Sequence, residues 1–97
     1  MNAKTYLQRD TFINTTNPGQ MKEFPLRLRL LRTANNYTQA GLAYELERSG
    51  DLQVSQSTIC RLESGQSIPD AEILLQLTRV FNCDIAQLLS LHPETGR

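Results

Sequence analysis

The sequence predicts an all-α fold of five short helices joined by brief connections, with an irregular arm before them. Three observations predict it. Apolar residues from Leu26 onward recur at helical spacing. Residues that cap helix starts alternate along the same stretch with glycines that end helices. No segment has the two-residue alternation of a core strand, so any β structure is confined to the arm.

Residues 1–24 show no sustained helical period, and "NTTNPGQ" from Asn14 to Gln20 holds the Asn-Pro-Gly signal of a turn. The apolar pairs Tyr6-Leu7 and Phe12-Ile13 leave three readings of this arm: a hairpin across the turn, a docking segment, or a disordered tail. Pro25 suits the first position of a helix, where its missing N–H costs nothing. The first helix follows, with Leu28 and Leu31 three apart and Arg27, Arg29 and Arg32 interleaved, until "TANNY" breaks the pattern. Thr38 then caps a second helix carrying Leu42, Ala43 and Leu46 on one face, with Gly41 a mild weakness inside it and Gly50 as its terminator. Ser55 caps a third helix running to Ser64, with Ile59 and Leu62 inward and Gly65 ending it. After "IPD", a fourth helix starts near Asp70; Ile73, Leu74, Leu77, Val80 and Phe81 form its broad apolar face, and it ends at Asn82. The fifth begins where Asp84 and Gln87 have capping-box spacing, and contributes Ile85, Leu88 and Leu89. The helical domain is thus expected over residues 25–91, with residues 92–97 as a tail.

At 97 residues with 39% apolar and 6% aromatic content, the chain fits one compact domain and leaves little room for a multi-step enzyme cleft. The longest apolar run is Ile73-Leu74-Leu75, and the start "MNAKTYLQRD" has no hydrophobic signal segment; a cytoplasmic protein without membrane insertion or export is expected. Cys60 and Cys83 form no CxxC pair and stand near no histidine cluster, so both read as plain thiols, with neither metal nor cofactor expected. His92 precedes Pro93 in the polar tail. With no nucleophile beside a base, no glycine-rich phosphate loop and no carboxylate cluster, the chain is not expected to be an enzyme.

Net charge is zero, but its distribution is uneven. Residues 1–32 hold Lys4, Arg9, Lys22, Arg27, Arg29 and Arg32 against Asp10 and Glu23, so only this first third offers a positive face to nucleic acid. The third helix offers a different kind of surface. With successive side chains turned by about 100°, Thr58, Ile59 and Leu62 cluster on one side, while Gln56, Ser57, Cys60, Arg61 and Ser64 cluster on the other. Gln makes paired hydrogen bonds to adenine, Arg to guanine, and Ser suits bases or phosphates. The plain alternative is an ordinary solvated helix face.

Two stretches, "LRLLRTANNYTQAGLAYEL" and "VSQSTICRLESGQSIPDAEILLQLTRVFNCDIAQLL", together resemble the lambda-repressor-like, or Xre, helix-turn-helix DNA-binding family over roughly residues 26–89. The most specific parts are Thr38-Gln39 with Leu42-Ala43, then Ser57-Thr58-Ile59 with Leu62-Glu63 and Gly65, then Pro69. The resemblance implies a regulator of transcription, a repressor, that binds a palindromic operator on double-stranded DNA as a homodimer. It places the helix 55–64 in the major groove, with Gln56, Ser57, Cys60, Arg61 and Ser64 toward base edges. Gln39, by side chain or backbone N–H, and Ser55, Gln66 and Ser67 fall at phosphate-contacting positions. Arg32 and Glu63 resemble the family's arginine–glutamate pair. Dimer contacts are expected from Ile85, Leu88, Leu89 and Leu91.

One departure stands out. "ERSGDLQVS", from Glu47 to Ser55, is about six residues longer than the short turn usual between the second and third helices. It is expected to lengthen the second helix and open the turn, either as a surface bulge or as a loop across a groove. A function of another class also fits the near-neutral charge: a protein-interaction module, such as an antitoxin that neutralises a toxin through its arm.

Overall fold

The computed structural model describes residues 21–89, so the hairpin reading of the arm, Leu91 and His92 lie outside the described residues. Among the described residues five helices follow one another: α1 Phe24–Ala34, α2 Gln39–Gly50, α3 Gln56–Ser64, α4 Ala71–Phe81 and α5 Ile85–Leu89. Among the described residues there is no strand.

Local chemistry sets most of the boundaries. The Thr38 side chain accepts a hydrogen bond from the Gly41 N–H at 2.9 Å, Ser55 from Thr58 at 3.2 Å and Asp70 from Ile73 at 2.9 Å. Each removes one of the donors a helix start leaves unpaired, a contribution of about 1 kcal/mol apiece. At α5 the Asp84 N–H donates to Gln87 Oε1 at 2.9 Å, one half of a capping box. α1 begins one residue earlier than expected, with Glu23 as N-cap and Phe24 ahead of Pro25. Met21 and Phe24, which by sequence belong to the arm, are buried in the core.

Gly50 does not terminate α2. It is the last helical residue, and the left-handed cap position falls to Asp51, with φ 58°. What the position requires is room: a Cβ on Gly50 would lie 2.5 Å from Cδ and 2.6 Å from Cγ of Gln76 on α4. Gly65, by contrast, takes up the left-handed conformation after α3, with φ 81°.

α3 packs against both α1 and α2, α4 packs on α2, and α5 closes on α1 and α4. Phe24, Leu28, Leu42, Leu46, Ile59, Leu62, Leu74, Leu77 and Leu88 are all sealed from solvent at the centre. Each fully buried side chain of this kind stabilises the fold by about 1.5–3 kcal/mol. Tyr37, in the α1–α2 turn, meets Phe81 of α4 in a tilted ring pair with centroids 6.4 Å apart. The long connection before α3 joins this core too. Leu52 and Val54 are both buried, so the segment is a strap tied inward rather than a surface bulge or a loop free to reach across a groove. Its apolar residues at alternate positions, Leu52 and Val54, point inward while Asp51, Gln53 and Ser55 stay exposed.

Candidate nucleic-acid interface

α3 is nine residues long, about 13 Å at the usual helical rise. Ile59, Leu62 and Glu63 are its buried residues, and Gln56, Ser57, Cys60, Arg61 and Ser64 are all exposed. The five side chains therefore line a continuous outer face between the Ser55 cap and Gly65. Ser64 turns its hydroxyl back to the Arg61 carbonyl at 3.2 Å, while Cys60 is a free thiol on the open surface.

The helix is held from beneath by an ion pair. Arg32 of α1 donates from Nε to Glu63 Oε2 at 2.5 Å and from Nη2 to Oε1 at 3.0 Å, a bidentate fork. Its Nη1 donates to the Tyr37 carbonyl at 2.8 Å, which ties the α1–α2 turn to the same guanidinium. Gln39 adds a third link, donating from Nε2 to Glu63 Oε1 at 3.1 Å. The Arg32 and Glu63 side chains are only 13% and 6% exposed, so the interaction is poorly screened. The hydrogen bond to Glu63 raises the Arg32 pKa above its already high ordinary value, keeping the guanidinium charged.

These contacts redistribute the roles expected of the polar residues. One of the two N–H donors of the Gln39 amide is taken by Glu63, and an anion at the start of α2 would meet the other together with the first-turn N–H groups that neither a helical carbonyl nor Thr38 satisfies. Ser55 is occupied as the α3 cap and also shares a hydrogen with the Thr58 hydroxyl at 3.2 Å. Beyond Gly65, the N–H groups of Gln66 and Ser67 both donate to the Arg61 carbonyl, at 2.9 and 3.2 Å. The exposed Gln66 side chain and the half-buried Ser67 hydroxyl are what this loop presents.

The positive charge of the first third is partly spent inside the protein. Arg32 belongs to Glu63, whereas Arg27, which donates to the neutral Gln87 carbonyl at 2.5 Å and fastens α1 to α5, keeps its charge. On α2 the exposed Arg48 pairs with Glu45. Lys22, Arg29 and Arg61 remain as exposed cations without an ion pair among the described residues, and Arg79 is exposed with one bond to Gln76.

The expected dimer set needs a correction. Leu88 is fully buried between α5 and the rest of the core, so it is unavailable to a second chain. A helix of five residues has only one strongly inward side, and Leu88 occupies it. Ile85 and Leu89 are half-buried at its margins. Among the described residues, the large apolar side chains most open to solvent are Leu26 and Leu30 on α1, Tyr44 on α2, Ile68, and Leu75 on α4. Leu26 and Leu30 share one face at i, i+4 spacing, a pattern already present in the sequence but masked by the leucines around it.

No helix of the described residues is long and apolar enough to cross a membrane. Among those residues no group of His, Cys, Asp or Glu side chains is placed to hold a metal ion.

Comparison with known proteins agrees with this layout. The family profile HTH_3, described as helix-turn-helix, matches residues 28–88. The chain is 38% identical over 68 residues to the HTH-type transcriptional activator BcrR of Enterococcus faecalis, a match covering 70% of the chain and 30% of that protein. The chain thus spans less than a third of the length of this curated relative. No solved structure matches it.

Proposed function

Since the chain belongs to the lambda-repressor-like helix-turn-helix family, we propose that it is a DNA-binding regulator of transcription that inserts α3 into the major groove of each half of a palindromic operator as a homodimer. The observation that carries this reading is the outer face of α3. Five side chains able to approach bases stand exposed on a helix whose inner face is locked by Ile59, Leu62 and the Arg32–Glu63 pair. Gln56, Ser57, Cys60, Arg61 and Ser64 read base edges. The first-turn N–H groups of α2, beginning at Gln39, and the side chains of Ser55, Gln66 and Ser67 meet phosphates.

One short helix reads too few base pairs to be selective alone, which is the physical reason for two copies. The half-buried Ile85 and Leu89, continued by Leu91, supply contact between them. Occupying a promoter is sufficient to block transcription, so repression is the simpler outcome, although BcrR carries the name of an activator. The role is one of binding, in the cytoplasm where DNA is reached, and calls on no catalytic group or cofactor.

Selection from a pool of random duplexes tests the proposal. A palindromic consensus bound by two chains per duplex is expected, with a reporter carrying that consensus falling in expression. Recovery of unenriched sequence would refute DNA reading by α3, and increased expression would replace repression with activation. A second reading, an antitoxin-like module, draws on the zero net charge of the chain and the pairing of Arg32 with Glu63. A stoichiometric protein co-purifying from the native host in place of a free dimer is its mark.

A further inference from the structure

The two ends of α3 are anchored by different means. Near its C-terminus, Glu63 is held by Arg32 and Gln39. Its N-terminus hangs from the strap 51–55, whose buried Leu52 and Val54 leave little slack between the end of α2 and the Ser55 cap. Leu52 N–H reaches back to the Leu46 carbonyl at 3.4 Å, continuing the hold on α2. The position of the strap is therefore fixed where α2 ends, at Ser49, Gly50 and Asp51.

That end is gripped by one buried polar side chain of α4. Gln76 donates from Nε2 to Ser49 Oγ at 2.9 Å, and Ser49 in turn donates to the Glu45 carbonyl at 2.7 Å. Gln76 Oε1 accepts from Arg79 Nη1 at 3.3 Å. The side chain then passes over Gly50 so closely that a Cβ there would force it to move. A buried amide with both ends engaged has one favourable orientation, and it sits on the helix end from which the strap departs.

We propose that Gln76, acting through Gly50 and Ser49, is a positioning residue for DNA specificity: it sets where the long strap begins and hence how Gln56 and Ser57, at the N-terminus of α3, meet base edges. Gln76 itself touches no DNA. Hydrogen bonds to bases tolerate only a few tenths of an ångström, so a displaced α2 end reduces discrimination at the positions read by Gln56 and Ser57. Positions read by Arg61 and Ser64, nearer the Glu63 anchor, are affected less. This inference rests on the proposed DNA-reading role of α3.

The test uses the full chain, the consensus duplex selected by the wild type, its single-base variants and a random-sequence duplex of equal length. Wild-type enrichment of a consensus must come first, and its absence refutes the DNA reading together with this inference. Given a consensus, Gln76→Met preserves bulk over Gly50 but removes both hydrogen bonds. It is expected to reduce the consensus-to-random affinity ratio about tenfold, confined to one end of the half-site, while binding to random DNA and the helical signal persist. Gly50→Ala should do the same through the clash, and Gly50→Ala/Gln76→Ala, which removes the clashing atoms but also both hydrogen bonds, should lose about as much as Gln76→Met rather than the two losses combined. A wild-type base-preference profile in folded Gln76→Met overturns the inference. So does a loss spread evenly over the half-site, which would mean general destabilisation. Should Gly50→Ala not fold, the Gln76→Met profile decides the matter by itself.

Discussion

Arg32 and Glu63, 31 residues apart in sequence, face each other as a bidentate pair that joins α1 to α3. Gln39 from α2 closes on the same carboxylate, so one buried charge ties together the three helices nearest the proposed interface. Removing either partner strands the other in a poorly hydrated site, and this cost, more than the strength of the pair itself, makes the contact matter.

Glu63→Ala is expected to destabilise the domain by about 3 kcal/mol, because Arg32 keeps its charge and loses its carboxylate. Arg32→Ala/Glu63→Ala should cost less than the two single changes combined. Chemical denaturation of the four species measures the coupling; additive losses would show that the pair contributes no mutual energy.

Leu88 and Leu89 should separate stability from assembly. Leu88→Ala empties a fully buried site and is expected to cost about 2–5 kcal/mol in unfolding free energy. The half-buried Leu89 should cost less when truncated and should weaken the proposed dimer instead. Sedimentation and thermal melting of both variants distinguish the two effects. A dimer unaffected by Leu89→Ala would remove α5 from the interface.

Cys83 is expected to make the fold sensitive to alkali. Burial, aided by the neighbouring Asp84 carboxylate, raises its thiol pKa above the ordinary value of 9.0. Between those two values the unfolded chain has lost the proton that the folded chain retains, so stability is complete below the ordinary thiol value and falls as pH rises through the raised one. Denaturation midpoints between neutral pH and pH about 10 should fall more for wild type than for Cys83→Ala. Parallel profiles would show that this thiol does not couple to folding.

Local signals make most helix boundaries legible in the sequence. Thr38, Ser55 and Asp70 cap helices through contacts three residues away, and Gly65 takes the backbone angle that glycine alone adopts cheaply. The residues whose roles differ from the sequence expectation take them from distant partners. Gly50 resembles a terminator because glycine commonly ends a helix; its constraint is Gln76, brought over it by the packing of α4. Leu52 and Val54 are hidden in a segment whose unusual length suggests a bulge. The outward face of α3 follows from helical period alone, whereas the attachment of Gln39 to Glu63 requires the tertiary approach of α2.

Salt should weaken DNA binding only moderately for a protein of this family. With Arg32 and Arg48 paired internally, two or three of the exposed cations Lys22, Arg29, Arg61 and Arg79 per chain at the interface would neutralise about four to six phosphates in a dimer, giving a log–log slope near −4 to −5. Titrating salt against affinity for the selected duplex measures it. A slope near zero would argue against groove binding, and a much steeper one would require charge from residues 1–20.

Arg61 gives the sharpest test of the reading face. It is exposed on α3 and forms no ion pair among the described residues, and its guanidinium has the fork geometry that matches the O6 and N7 acceptors of guanine. Its carbonyl accepts from the N–H groups of Gln66 and Ser67, so the backbone at this position is fixed by the α3 terminus. If the side chain reads a base, Arg61→Ala should cost about 1–3 kcal/mol per half-site on the selected operator and flatten preference at one base pair, with little loss on random DNA. If it touches only phosphate, both duplexes should lose affinity alike and the salt slope should become shallower by about one for each phosphate no longer neutralised. Binding of wild type and Arg61→Ala to every single-base variant of one half-site separates these outcomes. An unchanged preference profile would remove Arg61 from the reading set and leave base recognition to Cys60, Ser64 and, at the end of α3 that the strap positions, Gln56 and Ser57.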